Sequence, residues 1–374
     1  MNRHITNPTP ITEPQPMTTV RLSFAENPAL QPTTELHTLA TNSARFPFTA
    51  TTRAAAEAWQ AACRPALVET LGFLDTPTVD PAPEVLEEVD RGEYIRRKIV
   101  IATAPGVRMP VYLLIPKGAT GPFPVALAYA GHGYGVYDIV GLWENGEERW
   151  EPEGYHKDFG TELCKRGFLV AAPEIAGFGE RKTDYGYLNT ELGQPIPTTC
   201  HNAATYAFML GKSLVGMRVR DSMRLIDYLQ TVPEADCSRL GAMGISGGGM
   251  LTFFHAAVDK RIRATVISGY YSSFRESILA MNHCTCNFVP GVLNIGEMQD
   301  LVGLLMPRPM LVETGTYDPI FPVAAVRKGV ARAQEICAIL GGDPTTAIEV
   351  DEFPGRHRIS GARAYDFLWA QVTR

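Results

Sequence analysis

The stretch Gly241-Ala242-Met243-Gly244-Ile245-Ser246-Gly247-Gly248-Gly249-Met250 decides how the rest of the chain reads. It contains Gly244-x-Ser246-x-Gly248, the nucleophile-elbow pattern. An apolar strand is predicted to run into it over about 239–245, and an apolar helix to run out of it over 251–258. So sharp a strand-to-helix turn holds the serine in strained backbone geometry. Side chains two positions away would clash, which calls for glycine at 244 and 248. The turn lifts the serine hydroxyl above the sheet. It also aims the N-terminus of the following helix at the site, where free N–H groups and the helix dipole favour negative charge.

Outward from this turn, strand-like and helix-like segments alternate. A hairpin is expected from 94–102 and 111–115 around Ala104-Pro105-Gly106, then a buried strand at 125–130, a helix at 159–166 and a strand at 168–172. A long helix is expected at 203–230. Beyond the elbow, strands are expected at 264–268, 310–313 and 347–350, with helices at 322–340 and 360–372. Such alternation predicts an α/β fold: a mostly parallel central sheet covered by helices on both faces. Residues 1–17, rich in Pro, Thr and Asn, are expected to be a flexible tail. Residues 18–93 are expected to form an N-terminal helical extension and linker, built on an Ala-rich helix at 51–71 that Pro65 could kink or split. The catalytic domain is then expected over 94–374.

Composition bounds the function. The 374 residues are 45% hydrophobic and carry a net charge of -6, with no long basic run, so nucleic acid and anionic membrane are not expected partners. No apolar run is long enough to span a bilayer. The opening Met1-Asn2-Arg3-His4-Ile5-Thr6 lacks a signal peptide's apolar core, and the seven scattered cysteines read as reduced thiols. A cytoplasmic location is the expectation. His283-Cys284-Thr285-Cys286 has no second pair at ligand spacing, so it reads as a packed, half-buried loop and no metal is expected.

A serine hydroxyl is a poor nucleophile at neutral pH; it needs a base, and the base needs a third group to hold its tautomer and stabilise its charge. His357 lies between the last strand and the last helix, where a base would reach back over the sheet. Asp318, in Gly315-Thr316-Tyr317-Asp318-Pro319, follows the 310–313 strand and is the expected acid. His255 falls on the elbow helix and faces away from Ser246. The oxyanion hole needs two backbone N–H donors, assigned to Gly247 and Tyr134, with Gly133 the near alternative in Gly131-His132-Gly133-Tyr134-Gly135. His132 reads as structural rather than catalytic. Loops at 136–155, 183–202 and 270–298 should project above the catalytic face. Among their residues and the Gly131–Gly135 stretch, His132, Gly133, Trp143, Tyr270 and Tyr271 are candidates to line a substrate pocket.

Together, Gly-Ile-Ser246-Gly-Gly-Gly, His-Gly-Tyr134-Gly, Gly-Thr-Tyr-Asp318-Pro-Ile-Phe-Pro and Gly-Arg-His357 resemble the α/β-hydrolases, in their dienelactone-hydrolase and acetyl-xylan-esterase-like branch. Residues 109–118, 173–181 and 304–311 resemble that branch too, and the likeness extends over about 94–374. The chain departs from the dienelactone hydrolases proper, which use cysteine where Ser246 stands. The resemblance implies esterase chemistry without a cofactor. The leading expectation is a serine hydrolase that cleaves a small-molecule carboxylic ester, with homo-oligomerisation left open. The competing readings are a peptidase or lactonase of the same fold, and a catalytically silent ligand-binding protein on it.

Overall fold

The structure is a computed structural model in which residues 22, 23, 25–184 and 198–374 are described. The tail expected at 1–17 lies outside them, as does most of the 183–202 loop. The chain divides into two compact units, Met1–Ser43 and Ala44–Arg374. The first contributes a short turn at Pro28–Leu30 and the helix Pro32–Asn42, neither with a buried residue.

The second unit is organised on a nine-stranded sheet. Its strands are β1 (Glu84–Asp90), β2 (Tyr94–Ala104), β3 (Val107–Pro116), β4 (Phe123–Tyr129), β5 (Leu169–Pro173), β6 (Ala235–Ile245), β7 (Ala264–Ser268), β8 (Met310–Gly315) and β9 (Ile348–Phe353). Their spatial order is β1-β2-β3-β5-β4-β6-β7-β8-β9. The β1, β2, β3 and β5 neighbours pair antiparallel, and every pairing from β5 through β9 is parallel. The order reverses at β4 and β5, a topological switch point of the kind where ligands bind in open α/β sheets.

Burial follows from this architecture. β4, β5 and β7 are buried at every position, so they read as unbroken apolar runs. Alternate side chains of β4 enter opposite cores: Val125, Leu127 and Tyr129 join one, Ala126 and Ala128 the other. The elbow helix Gly247–Val258 and the helices Arg53–Leu71, Leu214–Leu229 and Val323–Ile339 contribute to the first core. Helices Phe159–Lys165 and Ala364–Thr373 contribute to the second. At the sheet edge, β1 is largely exposed and carries Glu84, Glu87 and Glu88, charges that discourage further strand pairing.

Three expectations need correction. The boundary expected at 93/94 is not a boundary. Arg53–Leu71 buries Ala56, Cys63, Leu67 and Leu71 in the main core, and β1 belongs to the sheet. Gln60 Nε2 on that helix donates to the Gly303 and Met306 carbonyls at 2.6 and 2.7 Å. Truncating the fully buried Leu67 to alanine would cost about 2–5 kcal/mol, so this helix is part of the domain's core. Second, Pro65 lies within that helix without splitting it. Third, the helix expected at 203–230 is two helices, Thr199–Met209 and Leu214–Leu229, separated at Gly211, whose φ of +66° no helix interior can hold.

Candidate active site

Ser246 sits between the end of β6 and the helix Gly247–Val258, with φ 56° and ψ −119°. A non-glycine residue is rarely found there, and the surrounding turn must enforce it. The flanking glycines do so by permitting close approach. A Cβ added at Gly244 would stand 2.3 Å from the Gly248 carbonyl oxygen, and one at Gly248 would stand 1.8 Å from the Tyr129 carbonyl oxygen. Ser246 N–H donates to the Ser268 carbonyl at 3.0 Å, tying the elbow to the end of β7.

His357 and Asp318 meet across the ends of β8 and β9. His357 Nδ1 lies 2.7 Å from Asp318 Oδ2, while Asp318 Oδ1 accepts from the Ile320 and Phe321 N–H groups at 2.9 and 3.0 Å. A carboxylate only accepts, so Nδ1 carries the proton and the Nε2 lone pair is left free. That Nε2 is buried and has no partner among the described residues. The imidazole lies between the Tyr155 ring, 5.7 Å away at 30°, and the Phe321 ring, 5.6 Å away at 19°. It also lies against the end of β7: a Cβ added at Gly269 would be 2.9 Å from His357 Cε1. Ser246 N–H donates to the carbonyl of Ser268, the residue just before Gly269. The three residues the sequence nominated are therefore drawn to the same carboxyl edge of the sheet.

The loop after β4 is held against the elbow. A Cβ added at Gly131 would lie 3.1 Å from Ser246 Cβ, and one at Gly247 would lie 3.2 Å from His132 Nδ1. Tyr155 hydroxyl donates to the His132 carbonyl at 2.5 Å, and Gly131 N–H donates to His156 Nε2 at 2.9 Å. His156 Nδ1 in turn faces Asp138 Oδ1 at 3.6 Å. Tyr134 N–H donates to Asp138 Oδ2 at 3.0 Å. This corrects the oxyanion assignment, because a donor already given to a carboxylate is not open to a substrate. The N–H groups of His132 and Gly133 have no partner among the described residues, and Gly247 opens a helix, so its N–H has no intrahelical acceptor. Asp138 and His156 were missed by sequence reading; neither lies in a recognisable motif.

The pocket candidates separate. Tyr271 is fully buried and donates its hydroxyl to the Gly329 carbonyl at 2.8 Å, so it belongs to the core and lines no open pocket. Tyr270 is also buried, its ring packed against Phe253 and against Phe321, the ring that stacks on His357. Trp143 is half-exposed and its ring faces Arg149, which also hydrogen-bonds the Tyr134 hydroxyl. His255 faces away, its Nδ1 2.9 Å from the Tyr129 hydroxyl and its Nε2 3.5 Å from Asp259.

Two buried carboxyls flank the site. Glu313 on β8 accepts from Gly361 N–H at 2.8 Å, and burial pushes its pKa up to about 7. Glu174, after β5, accepts from Val136 and Glu180 N–H and is likewise pushed up by burial to about 7. Among the described residues one set of side chains has metal-ligand chemistry. His132, Cys200, Cys284 and Cys286 bring one ligand atom each within 4.8 Å of all the others. The Cys284-x-Cys286 pair, expected from the sequence to be a packed loop, is part of this set. The other two ligands come from 131–134 and from the helix at Thr199–Met209, too far along the chain for spacing to reveal.

Known proteins share the fold and part of the sequence. Residues 150–298 match the dienelactone hydrolase family. A Bacillus subtilis (strain 168) protein described as "Putative hydrolase YtaP" is 28% identical over 69% of this chain and 81% of its own length. Among solved structures, the "putative acetyl xylan esterase" BF1801 of Bacteroides fragilis NCTC 9343 superposes with TM-score 0.71 at 18% identity, covering 87% of this chain and 82% of that one. A glucuronoyl esterase from Solibacter usitatus superposes with TM-score 0.61 at 16% identity, over 88% of this chain and 97% of that one. At such identities the structural likeness speaks for the fold. With its strand order, its elbow and its matched segment, the chain has the α/β-hydrolase fold and is similar to the dienelactone hydrolase family and, in structure, to acetyl xylan esterases.

Proposed function

We propose that the chain is a serine carboxylic-ester hydrolase working through an acyl-enzyme on Ser246. The observation that carries this reading is the His357–Asp318 pair at 2.7 Å, with an unpartnered Nε2, on the same sheet edge as a serine at φ 56°. In the proposed cycle His357 Nε2 takes the Ser246 hydroxyl proton as Oγ attacks the ester carbonyl carbon. The carbonyl oxygen becomes an oxyanion, received by Gly247 N–H and by the open N–H groups of the His132–Gly133 segment. His357 then gives its proton to the leaving alkoxide, and the C–O bond breaks to release the alcohol and leave the acyl-serine. Water, deprotonated by the same Nε2, attacks the acyl carbon; the acid leaves and the proton returns to Ser246. Asp318 holds the Nδ1 proton and stabilises the imidazolium that forms.

The test is hydrolysis of p-nitrophenyl esters of graded acyl length by wild type, Ser246→Ala, His357→Ala and the double variant. Each single change is expected to lower kcat/KM by about 10³-fold or more, and the double change little further, because the two groups serve one proton transfer. Losses that multiply in the double variant, or a folded Ser246→Ala that retains wild-type turnover, would overturn the reading.

A further inference from the structure

We propose that His132 Nε2 and the thiolates of Cys200, Cys284 and Cys286 form a tetrahedral zinc site beside the elbow. The four ligand atoms lie within 4.8 Å of one another, and Cys286 Sγ is 3.3 Å from His132 Nε2. A zinc ion with Zn–S near 2.3 Å and Zn–N near 2.0–2.1 Å holds its ligand atoms roughly 3.5–3.8 Å apart. The cluster therefore matches the size of a tetrahedral site without large movement. Three sulfurs and one imidazole nitrogen are a soft donor set that suits zinc rather than calcium or magnesium. With four protein ligands no position is left for water, so the site is structural.

Charge supports the same conclusion. Arg218, on the helix Leu214–Leu229, is 1% exposed. Among the described residues it pairs with no carboxylate. Its Nε and Nη2 donate to the Ala176 carbonyl at 3.0 and 2.9 Å, and Nη2 also reaches Cys200 Sγ at 3.5 Å. Among the described residues its Nη1 has no hydrogen-bond partner, and its guanidinium lies over the Phe178 ring, 4.7 Å from the centroid. A buried guanidinium left against neutral thiols is strongly unfavourable. Zinc held by three thiolates and one neutral imidazole carries one net negative charge, which supplies the missing counter-ion. Each thiol loses its proton to solvent as its sulfur bonds the metal, so loading releases protons. Arg218 then acts as an outer partner that fixes the Cys200 sulfur.

The ligands come from three places: the loop after β4, the first turn of Thr199–Met209, and the 270–298 loop after β7. One ion would staple these together above the carboxyl edge of the sheet. Bonding through Nε2 would also fix His132 with its proton on Nδ1, the nitrogen that lies against Gly247. The zinc thereby sets the position of the segment that carries the open N–H donors. The site itself does not depend on Ser246 being a nucleophile.

The experiment measures metal in the full-length protein, prepared reduced from zinc-supplemented medium, by inductively coupled plasma mass spectrometry. The expected result is about one zinc per chain, released when the thiols are modified. It should fall tenfold or more in Cys284→Ser/Cys286→Ser and stay unchanged in Cys337→Ser, a buried cysteine outside the cluster. Cobalt added to the metal-depleted protein should give a thiolate charge-transfer band of tetrahedral character. Only trace metal and no cobalt spectrum in folded wild type would overturn the proposal. So would a disulfide among Cys200, Cys284 and Cys286 in freshly isolated protein, or full zinc in the double variant. Wild-type metal content and spectrum decide the matter even if the double variant does not fold.

Discussion

Replacing Ser246 by glycine should stabilise the protein while abolishing any chemistry that needs the hydroxyl. At φ 56° and ψ −119° the serine occupies backbone space that disfavours any Cβ, at a cost of about 1–3 kcal/mol. Alanine keeps the Cβ and so keeps the strain; glycine relieves it. Glycine also loosens the unfolded chain, which returns about 0.4–1 kcal/mol of the gain. No capping bond is lost in either variant, because the Ser246 side chain makes none to the helix it precedes. Ser246→Gly should therefore exceed Ser246→Ala in stability by roughly 0.5–2 kcal/mol. The assay is urea unfolding followed by fluorescence and circular dichroism, comparing midpoints at equal slope. A glycine variant no more stable than the alanine variant would refute the claim that the elbow stores backbone strain at the serine.

Gly248→Ala should prevent the elbow from forming, since its Cβ would fall 1.8 Å from the Tyr129 carbonyl oxygen; soluble protein with wild-type melting would count against that contact. Asp318→Asn should leave the fold intact but lower kcat by about 10⁴-fold, because an amide can hold His357 in the wrong tautomer; a kcat within tenfold of wild type would remove Asp318 from the mechanism. Glu313 is buried and protonated up to about pH 7. Its folded-state pKa is raised, so its contribution is fully present below the ordinary glutamate range and is lost as pH rises towards 7. Glu313→Gln stays neutral and keeps an acceptor for Gly361 N–H, so it should be more stable than wild type at pH 8, by on the order of 3 kcal/mol at most, and little different at pH 4. Denaturation midpoints at the two pH values that differ by the same amount would contradict this.

The fold and the candidate chemistry were legible for the same reason: both rest on local sequence. Gly244-x-Ser246-x-Gly248 needs only its own turn, and strands such as β4 and β7, buried on both faces, announce themselves as apolar runs. Asp318 and His357 could be nominated because each sits just beyond a predictable strand. Features set by tertiary packing were not legible. The helix 53–71 looked like an extension because nothing local shows that its face meets the main core. The break at Gly211 was missed because the apolar pattern continues across it. The Tyr134 N–H is not free, because Asp138, four residues on, folds back to take it, and no local pattern shows that fold-back. Tyr271 looked like a pocket aromatic, but its hydroxyl finds the Gly329 carbonyl in the interior. The His132, Cys200, Cys284 and Cys286 cluster joins three separate segments, and only the fold assembles them.

The proposed chemistry requires Ser246 to be an activated nucleophile. Incubating the protein with a fluorophosphonate and mapping the adduct by peptide mass spectrometry tests that directly, because the probe bonds to serine oxygen only where a base removes the proton. The predicted result is one adduct, on Ser246, absent from Ser246→Ala and formed far more slowly in His357→Ala. An adduct on another residue, or none in protein that hydrolyses esters, would contradict it.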